Sequence, residues 1–390
     1  MCHSRIIKIG ILINGFFKDE LQGKVIHMFM FNGSSKALDQ VKIIPDSWVL
    51  PTGIGKIDVP MDTPAEVAVE TAELGFEERM KYMKKYGSHC MSFSTLQPGM
   101  KFFDVPGKGF IAYMQKWGSQ MVLSDPICHE NEREAVIGAF LEKYPASAFI
   151  QVTEPVARLI HERFGFYATQ FGIETVIDLE KWSLSGKKKQ ILRTSINQAK
   201  KKGVVIRENP DETRHHQLSK KWMSTRKIKN REIGFLIRPM VMDHEEETRK
   251  FFAYQGDELI GFVFFDPIYK DGEIISYVPN ISRFSHSFRQ GIFYSLLTHA
   301  IETFKAEGLK EVNLGLSILV LDEENEAHEA TLLKSIERLI FKYGNFIYNF
   351  KGIAFTKSRF RGKTHKFYSA HKWSFPAVKL LTMFKLSNVF

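Results

Sequence analysis

Residues 288–315 read FRQGIFYSLLTHAIETFKAEGLKEVNLG, and this stretch decides the fold. Gly291 after Arg289 and Gln290 marks a loop. Ile292, Leu296, Leu297, Ala300 and Phe304 then recur on one face of a helix, Gly308 ends it, and Glu311 to Leu316 is a short apolar strand. Upstream, Phe251 to Tyr254 and Leu259 to Phe265 flank Gly256 and Asp257, a strong turn signal, and Glu273 to Val278 supplies a third strand. The first half of the chain follows a similar order. Gly109 to Lys116 and Gln120 to Leu123 form a hairpin turning at Trp117, Gly118 and Ser119. A helix over Asn131 to Lys143, a strand over Ser147 to Val152, a helix from Glu154 to Arg163 closed by Gly165, and a strand from Tyr167 to Leu179 follow. Hairpins alternating with helices predict an α/β protein of two similar lobes, each a mixed, mainly antiparallel sheet flanked by helices.

A length of 390 residues exceeds one hydrophobic core and agrees with two lobes. The division expected is an N-terminal extension over 1–63, lobes over 64–185 and 186–372, and an amphipathic tail over 373–390, with a helix running from Pro64 to Lys85. The apolar run Ile9 to Phe17 is far short of the roughly 20 residues a spanning helix needs. No small-residue cleavage site follows it before Lys18 to Glu20. Cys2, Cys90 and Cys128 are widely spaced and offer neither a disulfide framework nor a zinc pattern. A reduced, cytoplasmic protein without a structural metal is expected.

The formal charge of +10 points to a polyanionic partner. From Gly186 to Arg231 there are fifteen Lys or Arg against three acids, and from Lys351 to Lys372 seven against none. On a helix over Lys188 to Lys202, Lys189, Arg193 and Lys200 share one face, and Leu192, Ile196 and Ala199 another. That basic face suits RNA, anionic lipid or a phosphorylated coenzyme, and equally a solvated surface helix. The final residues, SFPAVKLLTMFKLSNVF, form an amphipathic helix that either lies on an anionic membrane surface or docks on the second lobe.

The opening stretch resembles the acyl-CoA segment of the GCN5-related N-acetyltransferases, in which a loop at a helix start holds a pyrophosphate. Arg289 and Gly291 are its phosphate-binding candidates, but Ile292 and Phe293 stand where a second small residue would ease approach. A longer resemblance runs over roughly residues 80–372. Its segments are SDPIC (Ser124 to Cys128), FIQVTE (Phe149 to Glu154), GFYATQFGIETVIDL (Gly165 to Leu179) and LRTSINQAKKKG (Leu192 to Gly203), with NLGLSIL (Asn313 to Leu319) and ERLIFKYGNFIYNFKGIAFTKSRF (Glu337 to Phe360) after them. In this order they resemble the catalytic domain of phosphatidylglycerol lysyltransferases. The resemblance implies two fused acetyltransferase-like lobes, an aminoacyl-tRNA donor with no further cofactor, and a lipid hydroxyl or related amine as acceptor.

Acyl transfer from an ester needs a base near the attacking group and donors for the developing oxyanion. Strand alternation puts Glu174 with Val176 and Asp178 on one face of an otherwise apolar segment. Glu174 is therefore a candidate base or ammonium-binding residue, or an acid paired with a basic neighbour. Asp125 is the second catalytic candidate, and Asp125 and Glu154 at strand ends serve equally as turn formers or caps. Gln151, Glu154, Asn313, Ser317, Tyr348, Asn349 and Lys357 are the substrate-binding candidates. Aromatics interleaved with Lys351, Lys357, Arg359 and Arg361 suit a single-stranded acceptor end. Lys357 and Arg361 share a face only in a helix, which Gly352 and Gly362 disfavour.

Three departures from the family stand out. Its multi-helix membrane region is absent, Lys220 in LSKKW occupies an acidic place, and Tyr277 to Asn280, YVPN, lacks an acid and an arginine. Loss of carboxylates that would hold a cationic side chain argues against lysine as the transferred group. Alternatives are an acyl-CoA-dependent N-acyltransferase and a non-catalytic member that binds RNA or anionic lipid.

Overall fold

The computed structural model describes residues 73–209, 211–225, 232–241, 245–285, 289–344 and 349–388. The expected extension over 1–63, the first turns of the helix expected from Pro64, and Tyr348 lie outside the described residues.

The described strands form two sheets. The first is built mainly from β1 (Lys101–Val105), β2 (Gly109–Lys116), β3 (Ser119–Leu123), β5 (Ala148–Thr153) and β6 (Tyr167–Asp178), with the short β4 (Ile127–Cys128) paired to β2. Two strands from far along the chain complete it: β11 (Glu311–Ile318) and β12 (Lys363–His371). The order is β1-β2-β3-β5-β12-β6-β11, antiparallel except for the parallel pair β3 and β5. The second sheet is antiparallel, β10-β9-β8-β7, from β7 (Val204–Glu208), β8 (Arg249–Gln255), β9 (Glu258–Lys270) and β10 (Glu273–Phe284). The α/β class and both hairpins match the sequence reading. The second half of the chain, however, lends β11 and β12 to the first sheet, so a cut at 185 does not separate the two sheets.

Helix α1 (Phe76–Tyr86) precedes the first sheet, whose outer face carries α2 (Arg133–Lys143) and α3 (Glu154–Phe164). Phe140, Val156 and Ile160 of these helices pack on Phe103, Tyr113, Phe149 and Tyr368. The second sheet is covered by α6 (Arg289–Ala306), with α4 (Gln190–Lys201) beside it and α5 (His215–Ser224) on the opposite face. Every apolar position expected to face inward on α6 is buried, and Phe304 lies among Phe251, Phe265 and Tyr277. Each such buried phenylalanine contributes about 2–3 kcal/mol, so this core holds α6 firmly. Three further helices follow: α7 (Thr331–Tyr343), α8 (Phe350–Ser358) and α9 (Ala377–Leu386).

The helix α8 corrects the expectation for 350–358. The Asn349 side chain caps it by accepting from the Gly352 amide at 3.2 Å, and a Cβ at Gly352 would collide with that same side chain. The glycine read as a helix breaker is thus what lets the cap close. Arg361 lies beyond the helix at φ 61°, so it does not share a face with Lys357.

Candidate active site

The two sheets meet where β10 runs beside β11. The Asn313 amide donates to the Ser276 hydroxyl of β10 at 3.1 Å, and the Asn313 side chain donates to the Glu174 carboxylate of β6 at 2.8 Å. Between Asn313 and Leu316 the register of β11 shifts against β6, and Gly315 adopts φ 72°. A bulge re-aims the residues around it. Here the Asn313 side-chain oxygen accepts from the Gly315 amide at 2.7 Å, which locks the amide group so that its NH2 faces Glu174.

Lys357 reaches this point from α8 and donates to the Leu316 carbonyl at 2.6 Å. Burial pushes its ammonium down to about 8, opposed by the Cys90 thiol and the Glu174 carboxylate. The Cys90 thiol lies close to Glu174, and burial followed by that carboxylate raises its pKa well above the usual thiol range. Cys90 is therefore a protonated donor and not a nucleophile. Beside it, His89 is buried against Phe367 with ring centroids 4.6 Å apart, and its Nδ1 lies 2.6 Å from the Ser124 hydroxyl. Burial lowers the His89 pKa, while Asp125 and Glu174 oppose that shift, which leaves a neutral ring whose Nε2 has no hydrogen-bond partner. One carboxylate, one amine near its neutralisation point and a neutral imidazole thus converge. Such a set can accept a proton at one place and stabilise a developing negative charge at another.

The remaining candidates divide. Asp125 is buried and binds the Thr153 amide and hydroxyl at 2.9 and 2.7 Å, fastening the loop after β3 to the start of α3, while its charge acts on His89 and Cys90. Gln151 is buried in a left-handed conformation at φ 60°, with one side-chain oxygen left without a partner. Ser317 is buried in β11, opposite Ile173 of β6. Glu154, by contrast, is half-exposed and pairs with Arg158 at 2.8 Å on the surface of α3. Asn349 caps α8, and Arg359 lies over the Phe355 ring at 4.0 Å. Lys189, at the start of α4, and Arg193 within it are turned onto the preceding loop, donating to the carbonyls of Ser183, Leu184 and Gly186, and of the three candidates Lys200 alone is exposed.

At the start of α6, Gly291 lies within the helix, Ile292 and Tyr294 are buried, and Phe293 packs edge-on against Phe284 at 5.4 Å. Lys220 is exposed on α5. Of the YVPN segment, Val278 is buried and its methyl would sit 3.1 Å from a Cβ at Gly315, so the side chain facing the bulge from β10 is apolar. Among the described residues no cluster of His, Cys, Asp and Glu could hold a metal, and no helix is long and apolar enough to cross a membrane.

The sequence reading does not single out His89, Cys90 and Ser124, which the fold brings beside Glu174 and Asp125. The adjacent His-Cys pair in the break between a helix and the first strand, GSHCMSF, was the available signal.

The family described as phosphatidylglycerol lysyltransferase, C-terminal, matches residues 80–371. The phosphatidylglycerol lysyltransferase of Staphylococcus aureus strain MRSA252 is 25% identical over 300 residues, covering 73% of this chain and 34% of that protein. That of Staphylococcus epidermidis is 24% identical over 301 residues, covering 71% and 33%. The chain therefore spans about a third of the length of the curated relatives it matches. In fold it is similar to L-PGS from Bacillus licheniformis, with a TM-score of 0.65 at 21% identity over 80% of this chain and 97% of that one. The C-terminal domain of a lysylphosphatidylglycerol synthetase homologue from Agrobacterium fabrum gives 0.65 at 19% identity, covering 79% and 96%.

Proposed function

The chain belongs to the family of the phosphatidylglycerol lysyltransferase C-terminal domain, and from that premise we propose that it transfers an aminoacyl group from aminoacyl-tRNA to a lipid hydroxyl or a small amine. The observation that carries this reading is the convergence of Glu174, Asn313 and Lys357 at the bulge of β11.

Glu174, oriented by Asn313 and Cys90, takes the proton of the acceptor hydroxyl or amine as that group attacks the ester carbonyl. The carbonyl oxygen becomes an oxyanion, which the Lys357 ammonium stabilises. Collapse of the tetrahedral intermediate breaks the ester bond, and the tRNA ribose oxygen leaves with the proton held by Glu174. The basic residues outside the cleft, Lys200 and Arg361 among them, serve the phosphates of the donor. Arg359 is partly turned onto its own helix and contributes less. The apolar wall at Val278 and the exposed Lys220 favour an uncharged transferred side chain over a lysyl group. The chain works at the surface of an anionic bilayer and needs no cofactor beyond the charged tRNA.

The test offers tRNA charged with one labelled amino acid at a time to the protein with phosphatidylglycerol vesicles, and label is counted in the lipid extract. Transfer of a neutral residue, with lysine at least about tenfold slower, is the expected outcome. Label in lipid only with lysyl-tRNA contradicts the side-chain assignment, and label with no charged tRNA contradicts the activity.

A further inference from the structure

Helices α7 and α9 lie on the same face of the first sheet. Leu333 and Glu337 of α7, Pro376 just before α9, and Lys379, Leu380 and Met383 of α9 line, with residues of β3, β5, β6 and β12, a small, partly open pocket of about 20 Å³. With those faces turned inward, helical geometry fixes what each helix presents outward. On α7 this is Leu332, Leu339 and Tyr343, seven and four residues apart, with Lys342 beside them. On α9 it is Val378 and Leu381, with Lys385 one turn on and Trp373 just before the helix. The six apolar side chains are 36% to 62% exposed, where a helix docked on a soluble partner lobe would bury such a stripe.

The charge on the outward faces themselves is positive, from exposed Lys342 and Lys372 and the half-buried Lys385. Residues 331–388 contain twelve Lys or Arg and a single acid, Glu337. Glu337 is buried, and burial raises its pKa to about 8, so it adds little negative charge at neutral pH. In the loop before α7, Asp322, Glu326 and Glu329 are held by Lys366 and Lys334, while Glu323 and Glu324 are exposed at the edge of the face. Two copies of the chain meeting through this face would oppose lysines to lysines. An anionic bilayer matches both features, because acyl chains accept the leucines and tryptophan while headgroups accept the lysines.

We propose that the paired outer faces of α7 and α9 form a docking surface for an anionic lipid bilayer. The inference deepens the proposed lipid acceptor and rests on it for its purpose, although vesicle binding is measured without any transfer. The full chain is sedimented with vesicles of equal parts phosphatidylglycerol and phosphatidylcholine, and with vesicles of phosphatidylcholine alone. Binding to the first and not to the second, weakening with salt, is expected. A chain carrying Leu339→Asp and Leu381→Asp loses at least about tenfold in vesicle affinity with its thermal unfolding unchanged. Lys200→Glu on α4 leaves that affinity within about twofold. Should the acidic double variant misfold, Leu332→Asn with Val378→Asn reads the same face more gently.

Equal sedimentation with both vesicle types overturns the proposal, as does wild-type binding by both double variants. A wild-type dimer that the substitutions convert to monomer makes the face an interface between copies instead. Transfer to a dispersed short-chain acceptor separates the two claims. If it persists in a chain that ignores vesicles, only the docking surface falls; if vesicles bind but no acceptor is labelled, only the transfer reading falls.

Discussion

Two places in this molecule look alike in sequence and differ in what surrounds them: the bulge of β11 beside α8, and the start of α6. Both put glycine next to a helix and a strand. At the bulge the glycine is surrounded by Asn313, Glu174, Lys357 and the Cys90 thiol, each buried or half-buried and each given a polar partner. At the start of α6 the neighbours are Ile292, Phe293, Tyr294 and Phe284, and Gly261 of β9 comes so close that a Cβ there would lie 2.8 Å from Ile292. Buried polar groups are costly and persist where something uses or satisfies them. The same helix-and-strand grammar therefore makes a buried polar cluster in one place and a packed apolar core in the other.

The largest effect that would break this contrast is expected at Lys357. Lys357→Met removes the cation opposite Glu174 and should slow transfer about 100-fold or more with little change in thermal stability. In the unaltered protein, transfer should also decline as pH rises through about 8, because the ammonium depressed by burial is charged below that value and neutral above it. A rate that keeps rising through this range would take Lys357 out of oxyanion stabilisation and make it a base.

The opposite response is expected at Gly261. Gly261→Val overpacks the contact with Ile292 and Phe284 and should cost about 1–3 kcal/mol of stability, measured by urea unfolding, while the transfer rate per folded molecule is kept. Coupled losses of rate and stability would mean that the two regions are not independent.

A smaller effect separates a functional acid from a structural one. Glu337 lines the pocket beneath α7 and α9, and its second carboxyl oxygen has no hydrogen-bond partner. Its folded pKa, about 8, lies above its ordinary value, so the folded chain binds the extra proton and stability is greatest below the ordinary carboxylate range. That stability is lost as pH rises toward 8. Glu337→Gln removes the decline, so between pH 5 and pH 8 the variant should lose less stability than wild type, without change in transfer. The least effect is predicted for coenzyme A, which should leave the melting temperature unmoved even at high concentration, since stabilisation requires binding to the folded state.

Periodicity alone carried the helices and hairpins, because amphipathic stripes such as Ile292 to Phe304 and turns such as Gly256 with Asp257 are local. The exchange of β11 and β12 into the first sheet was not legible, since a strand pairing such as Glu311 with Asp178, far apart in the sequence, leaves no local mark. Glu174 was legible because a carboxylate within an apolar strand is a visible conflict. Lys189 and Arg193 misled for a related reason: charge counting cannot tell a cation facing solvent from one folded back onto its own loop carbonyls. His89 and Cys90 escaped because their meaning comes only from Glu174, Asp125 and Ser124, all distant in sequence.

The central claim is that Glu174 takes the acceptor's proton in aminoacyl transfer from charged tRNA. Glu174→Gln keeps the side-chain shape and an acceptor for Asn313 but cannot take that proton. Single-turnover transfer from labelled aminoacyl-tRNA should fall by at least about 100-fold with tRNA affinity and melting temperature unchanged. A Glu174→Gln protein that transfers at the wild-type rate would contradict the account.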